Sequence, residues 1–245
     1  MTSTSDAAPQ EMSTGKPAGT TTRDRVALSG LLGMLVAANI ARSTVVPENW
    51  HFPYNLGIGV GAAALAAFAG LSRSELGLAQ GTWRSGARVG GLAFGVVSAG
   101  IIAGGTMGLL GEDGREITAS ELLWNVAVVI PVSTIAMEEL VFRGVLPSLL
   151  HRVTRSPRWT MIASPLVFGL WHIFPAARGG AVHLPGAEVP LAGLLAGTFL
   201  ATTIAGILFD WLRRRSDSLV APALAHLATN SVTLAVVWLV STPNS

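Results

Sequence analysis

The chain has 245 residues, of which 50% are hydrophobic with 28 glycines besides, while only 12% are charged, giving a net charge of +2. It has no cysteine, and its mean hydropathy is +0.54. Together these exclude an intrinsically disordered chain, a disulfide scaffold, a thiolate metal site and a cysteine nucleophile. So small a net charge leaves no footprint for nucleic acid. The charges lie in short islands between long uncharged runs, which a soluble domain does not do.

Residues 1–24 are rich in Ser, Thr, Ala, Pro and Gly without apolar periodicity, and read as a disordered cytoplasmic tail. This polar stretch is too extended, and the apolar run after it too long, for a secretory signal. A hydrocarbon core of about 30 Å needs roughly 20 helical residues. Seven stretches supply them within 25–242: 26–46, 54–71, 89–111, 120–150, 159–176, 190–212 and 219–241. The fold expected is therefore all-α, a polytopic helical membrane protein of about seven transmembrane helices. An eighth would come from splitting the fourth at Pro131. Glycines at small-xxx-small spacing, Gly57/Gly61, Gly91/Gly95 and Gly100/Gly104, predict close helix packing. No internal repeat or second soluble domain is visible.

Twelve of the 16 Lys and Arg fall in the tail (Lys16, Arg23, Arg25) and in alternate loops, at Arg73, Arg84, Arg88, Arg152, Arg155, Arg158 and Arg213 to Arg215. The other side receives Arg42, Arg115 and Arg178, with Glu112, Asp113 and Glu116 in the third loop. This alternation predicts an integral protein of the cell membrane with a cytoplasmic N-terminus.

Ionisable groups inside the apolar runs gather in the fourth stretch, at Glu138, Glu139 and Arg143. Each costs about 2.5–3.5 kcal/mol to insert, so a partner or a function is required. Glu139 and Arg143, at i,i+4, can pair on one face, while Glu138 is rotated by about 100°. A purely structural ion-pair network is the alternative. The fifth stretch carries Phe168 and His172, and the seventh carries His226 and Asn230 on one face. Counted from the arginine-rich ends, Glu138 lies roughly 18 Å deep, His172 21 Å, His226 12 Å and Asn230 18 Å. Polar groups buried at a common level are expected to converge. Pro131, Pro147 and Pro165 flank these positions and can kink their helices. Ser133 and Thr134 are expected to bond their own backbone, while His51, His151 and His183 fall at segment ends or in loops.

Glu138-Glu139-x-x-x-Arg143, Phe168-x-x-x-His172 and His226-x-x-x-Asn230 resemble the motifs of the CAAX prenyl protease and bacteriocin-processing (CPBP, or Abi) family of intramembrane endopeptidases. The Gly206 to Asn230 stretch is similar to the region of its third motif. The likeness covers about 120–231, less than half the chain. It implies a helical membrane core and peptide-bond cleavage in a membrane-associated peptide or protein, the partners being that substrate and the bilayer. Glu138 with His172 would activate a water, and His226 with Asn230 would donate to the oxyanion. Arg143 would orient the glutamates, with Glu139 its closest helix partner, and Phe168 would line the cavity. The resemblance leaves two chemistries open: no required cofactor, which the residues favour, or a zinc held by Glu138, His172 and His226. Two other classes use the same residues. One is a non-proteolytic membrane binding or immunity protein that keeps the motifs for structure. The other is a proton- or cation-coupled transporter, against which the lack of repeats weighs.

Overall fold

In this computed structural model, which describes residues 20–110, 117–178, 183–184 and 187–241, a reciprocal cap starts the first helix. The Thr21 hydroxyl accepts the Asp24 N–H at 3.1 Å, and the Asp24 carboxylate accepts the Thr21 N–H at 2.9 Å. This box satisfies two donors that a helix start leaves open. Helix α1 (Thr22–Thr44) thus takes in residues 22–24 of the expected tail. The tail's residues 1–19, and Glu112, Asp113, Arg115 and Glu116, lie outside the described residues.

Ala27, Leu31, Leu35 and Ala38 recur at three- and four-residue spacing on α1 and are buried. They pack with Ile58, Ala62 and Ala66 of α2 (His51–Phe68) and with Val141, Phe142, Val145 and Leu149 of α4 (Ala119–Thr154). In the chain, α3 (Trp83–Thr106) lies between α2 and α4. Beyond α4 come α5 (Pro157–Trp171), α6 (Ile173–Arg178), α7 (Leu191–Ser216) and α8 (Val220–Ser241). A two-residue antiparallel ladder, β1 (His183–Leu184) with β2 (Ala187–Glu188), lies between α6 and α7. Val36, Val60, Leu92, Leu200 and Ile204 face outward, whereas Glu138, Glu139, Arg143, Asp210 and His226 are buried. Apolar outside and charged inside is the distribution a lipid surrounding imposes.

Six helices among the described residues are long and apolar enough to cross a membrane: Thr22–Thr44, Gln80–Thr106, Ala119–Thr154, Pro157–Arg178, Leu191–Ser216 and Val220–Ser241. The sequence predicts seven. The expected 54–71 span is α2, an 18-residue helix whose apolar content is diluted by His51, Pro53, Tyr54 and Asn55 in its first turns. It still carries the chain back to the end where α1 begins. Arg152, at the end of α4, reaches Asp24 at 3.3 Å, Glu75 at 2.7 Å and the Ala69 carbonyl at 2.9 Å. Arg213 donates to the carbonyl of Glu75 at 3.1 Å. The start of α1 and the second, fourth and sixth loops therefore share one end.

Pro131 does not split the fourth segment. It falls in a π-helical stretch, Asn125–Ile135, inside one 36-residue helix. The wider hydrogen-bond spacing there absorbs the missing proline donor. Ser133 donates to the Val129 carbonyl at 2.9 Å, as expected of a hydroxyl in a membrane helix. The glycine pairs are corrected in detail. Gly57, Gly91, Gly95 and Gly100 would meet nothing with an added Cβ, and Gly104 only Leu110 at 3.9 Å. Gly61 faces Met34. A Cβ at Gly61 would fall 2.7 Å from the Met34 sulfur, so that member of the expected pairs does sit close to α1, and a further close approach is made by Gly86 and Gly90, one face round from Gly91. A Cβ at Gly90 would fall 2.7 Å from the Ala221 Cα, and one at Gly86 would fall 2.6 Å from the Ser218 hydroxyl.

Gly90→Val is therefore expected to cost about 1–3 kcal/mol by overpacking α3 against α8. Gly91→Val should change stability by less than about 0.5 kcal/mol, and thermal unfolding in detergent measures both. A second expectation concerns Glu75. Burial pushes its carboxyl up, but the Ser72 N–H and hydroxyl and the Arg152 guanidinium outweigh burial and hold it below its ordinary value of 4.5. Because the native pKa is depressed, the stabilisation is fully present above 4.5 and is lost as pH falls through the lowered value. Glu75→Gln should cost no more than about 1 kcal/mol at neutral pH. Melting curves across the acid range should show its gap to wild type closing.

Candidate active site

Within α4 the residues Ala136–Glu139 are α-helical, and π-helical stretches adjoin them on both sides, Asn125–Ile135 and Leu140–Val145. Such widened turns frequently mark functional positions. Glu138, Glu139 and Arg143 are 5%, 2% and 2% exposed, so each needs a partner inside the protein. Arg143 Nη1 lies 3.5 Å from Glu139 Oε1, which is the i,i+4 pair the sequence predicts.

Helix α8 brings His226 onto both glutamates. Its Nδ1 is 2.8 Å from Glu139 Oε1, and its Nε2 is 3.7 Å from Glu138 Oε2. Asn230, one turn on, sets its Nδ2 3.4 Å from the same Nε2. An ionised carboxylate only accepts, so His226 Nδ1 carries a proton and donates it to Glu139. The Asn230 amide nitrogen likewise only donates, so the lone pair on His226 Nε2 is its acceptor.

Helix α5 supplies the third wall. Trp171 donates its indole N–H to Glu138 Oε1 at 3.1 Å, while Glu138 Oε2 carries no hydrogen bond. His172 sits at the break between α5 and α6, and its Nδ1 pairs with the Phe168 carbonyl at 2.8 Å. A carbonyl only accepts, so the proton is on Nδ1 and the Nε2 lone pair is open to a proton or a water. The expected pairing of Glu138 with His172 is thus not a direct hydrogen bond. Glu138 is held by the neighbouring tryptophan, and the Phe168 ring touches both imidazoles edge-on, at centroid distances of 4.6 Å to His172 and 6.1 Å to His226.

Sequence reasoning missed the fourth wall. On α7, Phe209 stacks on His226 at 5.0 Å, and Asp210 Oδ1 lies 3.6 Å from Arg143 Nε. The Arg143 guanidinium rests 3.9 Å from the Phe168 ring centroid and 4.9 Å from that of Phe209, a double cation–π contact. Asp210 comes three residues before the cluster at Arg213 to Arg215 and reads as one more flanking charge. Its signal was its place as an acid inside the apolar sixth stretch. Trp171 adjoins His172 in the sequence, but an indole in a membrane helix reads as apolar, and its single donor shows only in the fold. A zinc on Glu138, His172 and His226 would need three donors on one centre. Among the described residues no group of three His, Cys, Asp or Glu side chains is arranged to hold a metal ion.

Two cavities border the cluster, one at Trp171 and one at Arg143 and Asp210, and neither is lined by Glu138, His172, His226 or Asn230. An apolar one of about 370 Å³ is lined by Leu35, Asn39, Phe142, Leu170 and Trp171. A polar one of about 360 Å³ is lined by Ser148, His151, Arg143, Asp210, Arg213 and Arg214.

Residues 119–232 match the family model described as Rce1-like, type II CAAX prenyl endopeptidase Rce1-like. No curated protein matches the chain, and no solved structure does. The matched span holds all four walls of the cluster. If Arg143 neutralises buried carboxylates on two helices, Arg143→Gln should cost about 3–5 kcal/mol by leaving them unpaired. Arg152→Gln, half-buried at the end of α4, should cost less, about 1–2 kcal/mol. Parallel melts of the two variants compare them.

Proposed function

From a chain that carries a CAAX-protease domain of the Rce1-like kind at residues 119–232, we infer an intramembrane endopeptidase that hydrolyses a peptide bond of a membrane-associated peptide or protein. The observation that carries this reading is the position of His226, 2.8 Å from one glutamate, 3.7 Å from the other and 3.4 Å from the Asn230 amide, all in a buried site. A structural ion pair between Glu139 and Arg143 needs neither Glu138 nor Asn230.

In the reaction we propose, Glu138 is the general base. Trp171 fixes its Oε1, and its Oε2 takes a proton from water while the water oxygen attacks the substrate carbonyl carbon. The open Nε2 of His172 holds that water as a second acceptor. The carbonyl oxygen becomes an oxyanion facing the Asn230 amide N–H, with the His226 ring beside it. Glu139 and Arg143 keep the imidazole aimed. As the C–N bond breaks, the proton on Glu138 passes to the leaving amine, and the acid product and free glutamate result. We place the N-terminus in the cytoplasm of a cell-membrane protein. This is supported by the shared end of the arginine-rich loops.

The test uses the full chain in detergent with a quenched fluorescent peptide ending in prenylated Cys-aliphatic-aliphatic-X, beside its unprenylated twin. Glu138→Gln and His172→Ala should lower turnover at least 100-fold with melting unchanged, and Asn230→Ala should lower it about 100- to 1000-fold. Wild-type turnover in Glu138→Gln defeats the assignment. Turnover that is lost to a chelator and restored by zinc would recast Glu138 as a ligand instead of a base.

A further inference from the structure

We infer that Asp210, which lies in the Gly206 to Asn230 stretch but is none of the three motifs' residues, is a positioning residue for this site, acting through Arg143 on Glu139 and His226. The inference rests on the hydrolase reading above. Asp210 has a side chain 6% exposed, and its Oδ1 is 3.6 Å from Arg143 Nε. Arg143 is buried to 1% of its side chain, and none of its three nitrogens makes a close hydrogen bond. Its place is therefore set by charge and ring contacts: Glu139 on Nη1, Asp210 on Nε, and the faces of Phe168 and Phe209.

This matters because Glu139 Oε1 is shared. It lies 3.5 Å from Arg143 Nη1 and 2.8 Å from His226 Nδ1. With Asp210 neutral, the whole guanidinium charge falls on Glu139, which is drawn off the imidazole and releases His226 Nε2 from its aim at Glu138 and Asn230. Asp210 is itself anchored, with Oδ2 4.0 Å from Arg214 Nη1 one turn on. Its neighbour Phe209 stacks on His226. Two consecutive residues of α7 thus hold both ends of the Arg143–Glu139–His226 relay, and the Asp210–Arg143 pair closes the inner end of the polar cavity. Asp210 touches no reacting atom in this scheme.

The experiment measures kcat, KM and melting temperature for wild type, Asp210→Asn, Asp210→Glu and Glu138→Gln on the same quenched peptides. Asp210→Asn should lower kcat about 10- to 100-fold, the range for groups that orient a reacting residue, with KM within about twofold and melting retained. Asp210→Glu, which keeps the charge, should recover part of that loss. A folded Asp210→Asn turning over within about twofold of wild type, while Glu138→Gln is inactive, overturns this inference alone. Equal turnover in Glu138→Gln and wild type removes the hydrolase reading and this inference with it. If Asp210→Asn does not fold, Asp210→Glu decides. Folded, with the pH profile of kcat displaced from that of wild type, it supports positioning, and with a superimposable profile it overturns the inference.

Discussion

The side chain of Arg143 carries a permanent charge at 1% exposure, with its counter-charges supplied by Glu139 from its own helix and by Asp210 from another. Removing a guanidinium from water costs several kcal/mol even after relaxation, and lipid outside offers no remedy. The helices must therefore enclose the cation and bring carboxylates to it. Once Glu139 is fixed there, its remaining reach meets His226, and the imidazole meets Glu138. The order of dependence runs from buried cation to glutamate to imidazole to base. The catalytic arrangement we propose is built on the solution to a charge-burial problem.

Much of this was legible in the primary structure because ionisable residues are so costly in an apolar run that each one announces itself. Glu138, Glu139 and Arg143 stood out for that reason, and the i,i+4 spacing of His226 and Asn230 placed them on one face, as the 3.4 Å contact shows. Counting rise per residue from the arginine-rich ends put them at similar depth, and the fold brings them together. What could not be read shares one physical cause: it depends on rotation about a helix axis. Gly86 and Gly90 differ from Gly91 by little in spacing, and nothing in the pattern says which faces Ala221. Asp210 looked like the end of a helix because arginines follow it, although its side chain turns inward.

The widened turns tie the two halves of the argument together. Three stretches, Asn125–Ile135, Leu140–Val145 and Ala228–Val232, depart from α-helical spacing, and they sit beside or contain site residues. Residues in a π turn are offset from the faces a regular helix would assign. Glu138 and Glu139, adjacent in sequence, lie in the short α-helical stretch between two of these widened turns, and both meet His226 on α8.

Asn39 lies on α1, outside the matched span, yet its amide donates to the Trp171 carbonyl at 2.8 Å, and Trp171 in turn holds Glu138. That carbonyl ends α5, where no intrahelical donor exists for it. The family-like half of the polypeptide is thus not a portable cassette. Excised from its amino-terminal helices, it would keep every motif yet lose the brace behind its tryptophan, so swaps between relatives must carry α1 along.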